Sequence, residues 1–318
     1  MKPSDKLKVA VLMGGPGGER EVSLKSGKAV ATALREAGHE VMSYNVTGRS
    51  FPSLEEMKPD VCFVALHGAF GEDGTAQELL EQMDIPYTGS GPIASRLGMD
   101  KIASKRLFIR HSVPTADYLV ITPMHTFEEA AAQTEQFGYP VVCKPAASGS
   151  SLGVSIVRRP DELRGAIQTA RQEGHVVLAE RYVRGREFTV GVLEGEALPV
   201  IELVVGRQFF DYKAKYEDEH TRYLTPVSLL PTIYRKTCEA AMRAYHAIGC
   251  RHLARVDMVY GYDGRLYVLE VNTIPGFTPR SLFPMAAAEA GIPFAALCDR
   301  LVRAALRDAA AAQRRRTA

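Results

Sequence analysis

Two apolar runs, Ala254–Tyr260 and Leu266–Val271, flank a turn at Tyr262-Asp263-Gly264, a pattern that commits this stretch to a β-hairpin. Side chains two apart on a strand point the same way. Arg255 and Asp257 therefore share one face of the first strand, and Glu270 and Asn272 share one face of the second. Four polar groups crowd one face of an otherwise apolar hairpin. Asp257, Glu270 and Asn272 are hard oxygen donors of the kind Mg²⁺ takes when it also holds nucleotide phosphates. A solvated face with an incidental ion pair is the competing reading of Glu270 and Asn272 alone. Asp257 opposite them, and Asn272-Thr273-Ile274-Pro275-Gly276 following, favour the metal.

Upstream, the first hundred residues alternate strand and helix. Lys8–Met13 is a short apolar run ending in Gly14-Gly15-Pro16-Gly17-Gly18, and Ser23–Ala37 has helical periodicity closed by Gly38. With His39–Tyr44 and Val61–Leu66 as further strands, residues 1–98 are predicted to form an open parallel sheet. Its working loops, Gly14–Glu19 and His67–Gly74, fall at carboxyl ends of strands. From Met99 the character changes. Helices over Met99–Arg110 and Thr126–Phe137 and strands over Pro140–Pro145, Val154–Val157 and Val176–Ala179 indicate a smaller α+β unit, assigned to 99–182. The last unit, 183–318, has strands over Phe188–Leu193 and Leu198–Val205, a long polar stretch Gln208–Pro226, a helix over Thr232–Ile248 and the hairpin. A chain of 318 residues suits two or three such units with a cleft between them.

Lys144 ends an apolar strand that leads into Ser148-Gly149-Ser150-Ser151-Leu152-Gly153. A loop of this kind can lay backbone N–H groups over phosphates while the lysine supplies point charge, although on its own it reads as an ordinary turn. It is not a P-loop, because no Gly-Lys-Ser or Gly-Lys-Thr follows the glycines. Glu180 and Glu187 bracket a connector whose backbone can read adenine while the carboxylates accept from an N6 amine and ribose hydroxyls; surface pairing with the intervening arginines is the alternative. Gly15 and Gly17 do not begin a dinucleotide fingerprint, since Arg20 stands at the third glycine position. Glu19 sits where a strand gives way to a helix, as a site residue or a capping charge. His67 ends a strand before Gly71-Glu72-Asp73-Gly74, as a site residue or a packed histidine.

Charge and cysteine usage exclude several classes of function. With 39 basic and 37 acidic residues the chain has no electrostatic footprint for nucleic acid, and Arg314, Arg315 and Arg316 read as a solvated tail. Cys62, Cys143, Cys238, Cys250 and Cys298 are odd in number and never closely paired, which fits a reducing compartment and buried apolar roles rather than disulfides or zinc. Met1–Lys8 lacks the apolar stretch of a signal peptide, and no segment approaches the roughly 20 apolar residues of a membrane span. No membrane association and a cytoplasmic location are expected.

Taken in order, these segments resemble the ATP-grasp superfamily and, within it, the D-alanine:D-alanine ligases. The matching motifs run from Gly14-Gly15 with Glu19-Arg20-Glu21-Val22-Ser23, through His67-Gly68, Gly71-Glu72-Asp73-Gly74 and Tyr87-Thr88-Gly89-Ser90-Gly91, to Met99-Asp100-Lys101 and Lys144-Pro145 with Gly149-Ser150-Ser151. They continue through Asp211-Tyr212-Lys213-Ala214-Lys215-Tyr216 and Ala254-Arg255-Val256-Asp257 to Glu270-Val271-Asn272-Thr273 with Pro275-Gly276. The resemblance implies an ATP-grasp fold of mixed α/β and α+β character behind an N-terminal open parallel sheet domain, with ATP between the central and C-terminal units. It further implies ATP-dependent ligation of two D-alanine molecules through a D-alanyl phosphate, for peptidoglycan precursor synthesis, with two Mg²⁺ ions or Mn²⁺ in their place, in a homodimer.

By position, the resemblance puts Lys101, Lys144 and Lys215 on phosphates, Glu180, Val183 and Glu187 on adenosine, and Asp257, Glu270 and Asn272 on the metal ions. Glu19 would hold the first D-alanine's ammonium, with His67 beside that substrate and Ser150 and Tyr216 linking it to a closing loop. Arg255 and the Gly276 backbone N–H would form the oxyanion site, while Ser281 and Lys215 hold the second carboxylate. Ser148 stands where family members often carry a glutamate, which bears on how the phosphate loop is seated. The stretch Gln208–Pro226 would be a lid over bound nucleotide, and Tyr216 is the residue type associated with D-alanine as second substrate. Three rival readings stand. A ligase for another acid or amine is opposed by Glu19, Tyr216 and Ser281 together. A non-catalytic nucleotide-binding module is opposed by Arg255, since binding alone needs no oxyanion donor. A hydride-transfer enzyme is opposed by the failed fingerprint.

Overall fold

The N-terminal sheet is centred on a strand that is apolar on both faces. In the computed structural model, which describes residues 6–204 and 222–317, β1 (Lys8–Gly14) lies between β2 (Glu40–Val46) and β3 (Val61–Val64), parallel to both. Val9, Val11 and Met13 enter one core and Ala10 and Leu12 the other, as a period of two requires. α1 (Arg20–Glu36) crosses the first core on Val30, Ala31 and Leu34, and at Gly27 it approaches Met13 too closely for any Cβ. α2 (Leu54–Met57) and α3 (Thr75–Gln82) cover the second, through Leu54, Ala76 and Leu80. The expected open parallel sheet is present, with Gly14–Glu19 and His67–Gly74 beyond the carboxyl ends of β1 and β3.

α4 (Pro92–Met99) gives way to α5 (Lys101–Arg110) at Asp100, whose carboxylate caps α5 by accepting from the N–H groups of Ile102 and Ala103 at 2.9 and 3.0 Å. Next comes an antiparallel sheet in the order β4-β7-β5-β6, formed by β4 (Tyr118–Ile121), β5 (Val141–Pro145), β6 (Ser155–Val157) and β7 (Val177–Arg181). α6 (Phe127–Phe137) and α7 (Leu163–Glu173) share its core. A reciprocal capping box of Thr126 and Glu129 starts α6, at the residue where the sequence places the start of this helix.

The last sheet is antiparallel in the order β11-β10-β8-β12-β13, with β9 (Glu196–Ala197) on β8. Its strands are β8 (Gly185–Leu193), β10 (Ile201–Val204), β11 (Arg222–Leu224), β12 (Leu253–Gly261) and β13 (Leu266–Asn272). α8 (Pro231–Ile248) packs on one face, in a core that also takes Phe108 from α5. α9 (Leu282–Glu289) and α10 (Phe294–Thr317) join Leu193 and Ile201 to the first core of the N-terminal sheet. The expected strand over Leu198–Val205 is shorter among the described residues, because Pro199 has no N–H for the ladder. Arg314 and Arg315, expected in a solvated tail, are exposed but helical.

Candidate active site

A cleft of about 160 Å³ is lined by residues of both antiparallel sheets. Val142, Ile156, Val183, Met258 and Leu269 give it an apolar lining, and a few charged groups converge on it, the usual make-up of a small-molecule site. On the central sheet Glu180 lies opposite Val142, so Lys144, two residues along β5, is its diagonal neighbour and ion-pairs with its Oε2. Lys105 Nζ meets the other oxygen, Oε1, at 2.6 Å. Burial alone would push the Glu180 carboxyl up, but the ammonium groups of Lys144 and Lys105 outweigh it and hold the group below its ordinary range.

Across the cleft, Arg255 stands opposite Asn272 and Asp257 opposite Glu270, after which the register shifts and Leu269 bulges out of the ladder. All four polar groups of the hairpin therefore meet as the period of two predicts. Asp257 accepts from Arg255 Nε at 2.8 Å and Nη2 at 2.6 Å, from Asn272 Nδ2 at 3.1 Å, and from Thr189 Oγ1 of β8 at 2.6 Å. Glu270 Oε2 lies 3.2 Å from Lys101 Nζ, which also donates to the Ser148 carbonyl at 2.7 Å. One ammonium thus joins the hydroxyl-rich loop to the hairpin.

The donor set fits a hard cation that shares its shell with a nucleotide. Among the described residues no three His, Cys, Asp or Glu side chains gather as a self-contained metal cage. Two carboxylates and an amide oxygen, with phosphate oxygens completing the shell, is the arrangement Mg²⁺ takes in phosphoryl-transfer sites. Asn272 spends its N–H on Asp257, which leaves its oxygen as the coordinating atom.

A second cavity of about 20 Å³ adjoins the cleft, sharing Lys101, Ser148 and Glu270 with it and reaching Glu72 and Gly149. Glu19 lies beside Gly149 of this cavity, bonded to Ser150 Oγ, and its carboxylate packs against Gly68 so closely that a side chain there would collide with it. Ser150 and Ser151 both take left-handed backbone, at φ 52° and 56°, a costly pair for non-glycine residues and one that clusters at ligand-binding loops. His67 is buried, with Nε2 3.0 Å from Ser26 Oγ and Nδ1 3.4 Å from Glu72 Oε1. Ser281 Oγ accepts from Thr278 N–H at 3.0 Å and lies 3.2 Å from where a Cβ on Gly276 would stand, so the two residues are neighbours.

Comparison with known proteins identifies the family. A family model described as D-ala D-ala ligase C-terminus matches residues 107–303, and one described as D-ala D-ala ligase N-terminus matches residues 49–90. The chain belongs to the D-alanine–D-alanine ligase family. The D-alanine–D-alanine ligase of Anaeromyxobacter sp. (strain K) is 46% identical over 295 residues, covering 93% of this chain and 96% of the relative. The solved D-alanine–D-alanine ligase of Bacillus anthracis complexed with ATP superposes with a TM-score of 0.84 at 32% identity, covering 96% of this chain and 99% of that one. VanG D-Ala:D-Ser ligase of Enterococcus faecalis superposes with a TM-score of 0.81 at 29% identity, covering 94% and 99%. The ATP-grasp fold read from the motifs is the fold of this ligase family.

Of the residues the sequence singles out, Lys101, Lys144, Glu180, Val183, Glu187, Asp257 and Glu270 line the ligase cleft, and Asn272 lines the adjoining cavity. Glu19 and Ser150 are in contact, Arg255 and Asp257 are paired, and Gly276 and Ser281 are neighbours. Lys215 and Tyr216, with the expected lid up to Thr221, lie outside the described residues. Sequence reasoning missed Glu72, Thr189 and Lys105 as parts of the site. Two of them had a signal: Glu72 stands in the Gly71-Glu72-Asp73-Gly74 motif, and Lys105 follows Lys101 by four residues, which places both on one face of α5.

Proposed function

We propose that this ligase joins two D-alanine molecules into D-alanyl-D-alanine through a D-alanyl phosphate, using ATP, for peptidoglycan precursor synthesis. The observation that carries the reading is the position of Lys101, whose ammonium links the Ser148 carbonyl to Glu270 and so brings the hydroxyl-rich loop, two lysines and the hairpin oxygens around one cleft. A carboxylate is a poor electrophile until one oxygen becomes a leaving group, and the charge that develops on phosphoryl oxygens and tetrahedral carbon must be met by fixed positive groups.

Lys101, Lys144 and Lys215 take the phosphates, and Glu180, Val183 and Glu187 take adenosine. Asp257, Glu270 and Asn272 would hold two Mg²⁺ ions, or Mn²⁺, which when bound offset phosphate charge. Glu19 holds the ammonium of the first D-alanine beside His67, with Ser150 and Tyr216 fixing Glu19. Arg255 and the Gly276 N–H receive the oxyanion, and Ser281 with Lys215 holds the second carboxylate. The units 1–98, 99–182 and 183–318 would close around the substrates. We further propose a cytoplasmic homodimer. No single described helix is long and apolar enough to cross a membrane.

The test is phosphate release from ATP with D-alanine, L-alanine, D-alanine plus D-lactate, and D-alanine plus D-serine, with products identified by mass. D-Alanyl-D-alanine should dominate and release should require Mg²⁺. Equal turnover with L-alanine, or a mixed product in preference to the dipeptide, defeats the assignment.

A further inference from the structure

α5 carries two lysines on one face, and only the first lines the cleft. Lys105 is wholly buried, with Nζ 2.6 Å from Glu180 Oε1, 2.6 Å from Thr115 Oγ1 and 3.4 Å from the Ala116 carbonyl. Thr115 Oγ1 donates its own proton to the Val268 carbonyl at 2.8 Å, so toward Lys105 it acts as an acceptor. Three acceptors around one nitrogen match the three hydrogens of an ammonium; a neutral amine would turn its lone pair on one of them. Burial pulls the Lys105 pKa down, and the Glu180 carboxylate opposes that pull.

Both oxygens of Glu180 thus have a lysine, Lys105 on Oε1 and Lys144 on Oε2. The trio is positive by one charge, so Lys144 is not cancelled by Glu180 and retains attraction for an anion in the cleft. The same node reaches the opposite wall. Thr115 bonds the Val268 carbonyl and Val268 N–H bonds the Pro114 carbonyl at 2.7 Å, fixing β13 beside the Leu269 bulge and two residues before Glu270.

We propose that Lys105 is a positioning residue for the nucleotide end of the cleft, holding the Glu180 carboxylate and, through it, Lys144 in place against the strand that carries Glu270. This rests on the ATP-dependent reading above. Without Lys105, Glu180 and Lys144 neutralise each other and the carboxylate follows Lys144 rather than a fixed point on the wall.

The test is Lys105→Met, which keeps length and removes charge, set in a cycle with Glu180→Gln and the double variant. Lys105→Met should raise the KM for ATP by about tenfold or more, with kcat at saturating ATP and the KM for D-alanine within about threefold of wild type. The double variant, which has no buried carboxylate oxygen left without its lysine, should fold even where Lys105→Met does not. Its KM for ATP should equal that of Glu180→Gln, because Lys105 acts through Glu180. A folded Lys105→Met with wild-type KM for ATP overturns the proposal. So does a double variant whose KM for ATP departs from that of Glu180→Gln, or a Glu180→Gln enzyme with wild-type KM. Failure of the wild-type chain to release phosphate in response to D-alanine would defeat the ligase reading instead.

Discussion

Arg255 and Asp257 meet edge to edge, Nε on Oδ1 at 2.8 Å and Nη2 on Oδ2 at 2.6 Å, from positions two apart on the same strand. The paired fork fixes the plane of the guanidinium, which a lysine in its place could not do. Arg255 is the countercharge of Asp257, and on the proposed function it is also the oxyanion donor. A donor used mainly in the transition state changes kcat more than KM. Arg255→Ala should lower kcat by roughly 10²–10³, the usual loss for one oxyanion donor, with a smaller change in KM for D-alanine. Arg255→Lys should recover only part of it. Near wild-type kcat at saturating substrate, together with a lower melting temperature, would leave Arg255 as countercharge alone.

Glu270 faces Asp257 across the hairpin and contacts Lys101, which also bonds the Ser148 carbonyl of the hydroxyl-rich loop. Gln keeps its shape and removes its charge, so Glu270→Gln should reduce activity most at limiting Mg²⁺ and leave the melting temperature close to wild type. Full activity of this variant at limiting Mg²⁺ would remove Glu270 from the metal site. Titrating phosphate release against Mg²⁺ in both proteins makes the comparison.

These two predictions rest on the part of the site that was easiest to read. A strand has a fixed period of two, so the facing of Arg255, Asp257, Glu270 and Asn272 follows from spacing once the turn is placed. Elements with a strong local signal were equally plain: Gly38 follows α1, and α6 begins after Thr126. α9 and α10 were not foreseen. Pro284 lies inside α9, and the Ala/Arg-rich run that forms α10 carries its apolar stripe with little contrast. The contacts of Lys105 with Glu180, and of Thr189 with Asp257, join residues 75 and 68 positions apart. The first depends on how α5 packs on the central sheet and the second on β8 pairing with β12, neither of which a local pattern encodes.

The cysteines should be chemically quiet in the native protein. Burial pushes the thiols of Cys62, Cys143 and Cys250 up to about 12 and raises those of Cys238 and Cys298 as well. The thiolate is the nucleophile, so at neutral pH only about one thiol in 10⁵ is reactive at such a value. Iodoacetamide should leave the folded enzyme active and unmodified by mass, and should label all five cysteines after denaturation. Rapid labelling of the native chain with loss of activity would contradict this.

His252 sets an acid limit on how α10 is held. Gly89 N–H donates to its Nδ1 at 3.1 Å, so Nδ1 must be the unprotonated nitrogen, and Nε2–H faces Asp308 of α10 at 3.0 Å. Protonating Nδ1 would set two N–H groups against each other. Burial, helped by the neighbouring Arg251, lowers the His252 pKa, while Asp308 and the more distant Glu194 oppose the shift. A histidine with a depressed folded pKa binds protons more readily when unfolded. Its contribution to stability is therefore complete above the unfolded pKa of about 6.5 and is lost as pH falls below it. The melting temperature of the wild-type chain should fall between about pH 7 and about pH 5.5, and His252→Asn should show a smaller fall over the same interval, starting from a lower value. Asn is the suitable replacement because His252 takes left-handed backbone at φ 60°, which Asn tolerates. An identical pH slope in the two proteins would show that His252 does not set the limit.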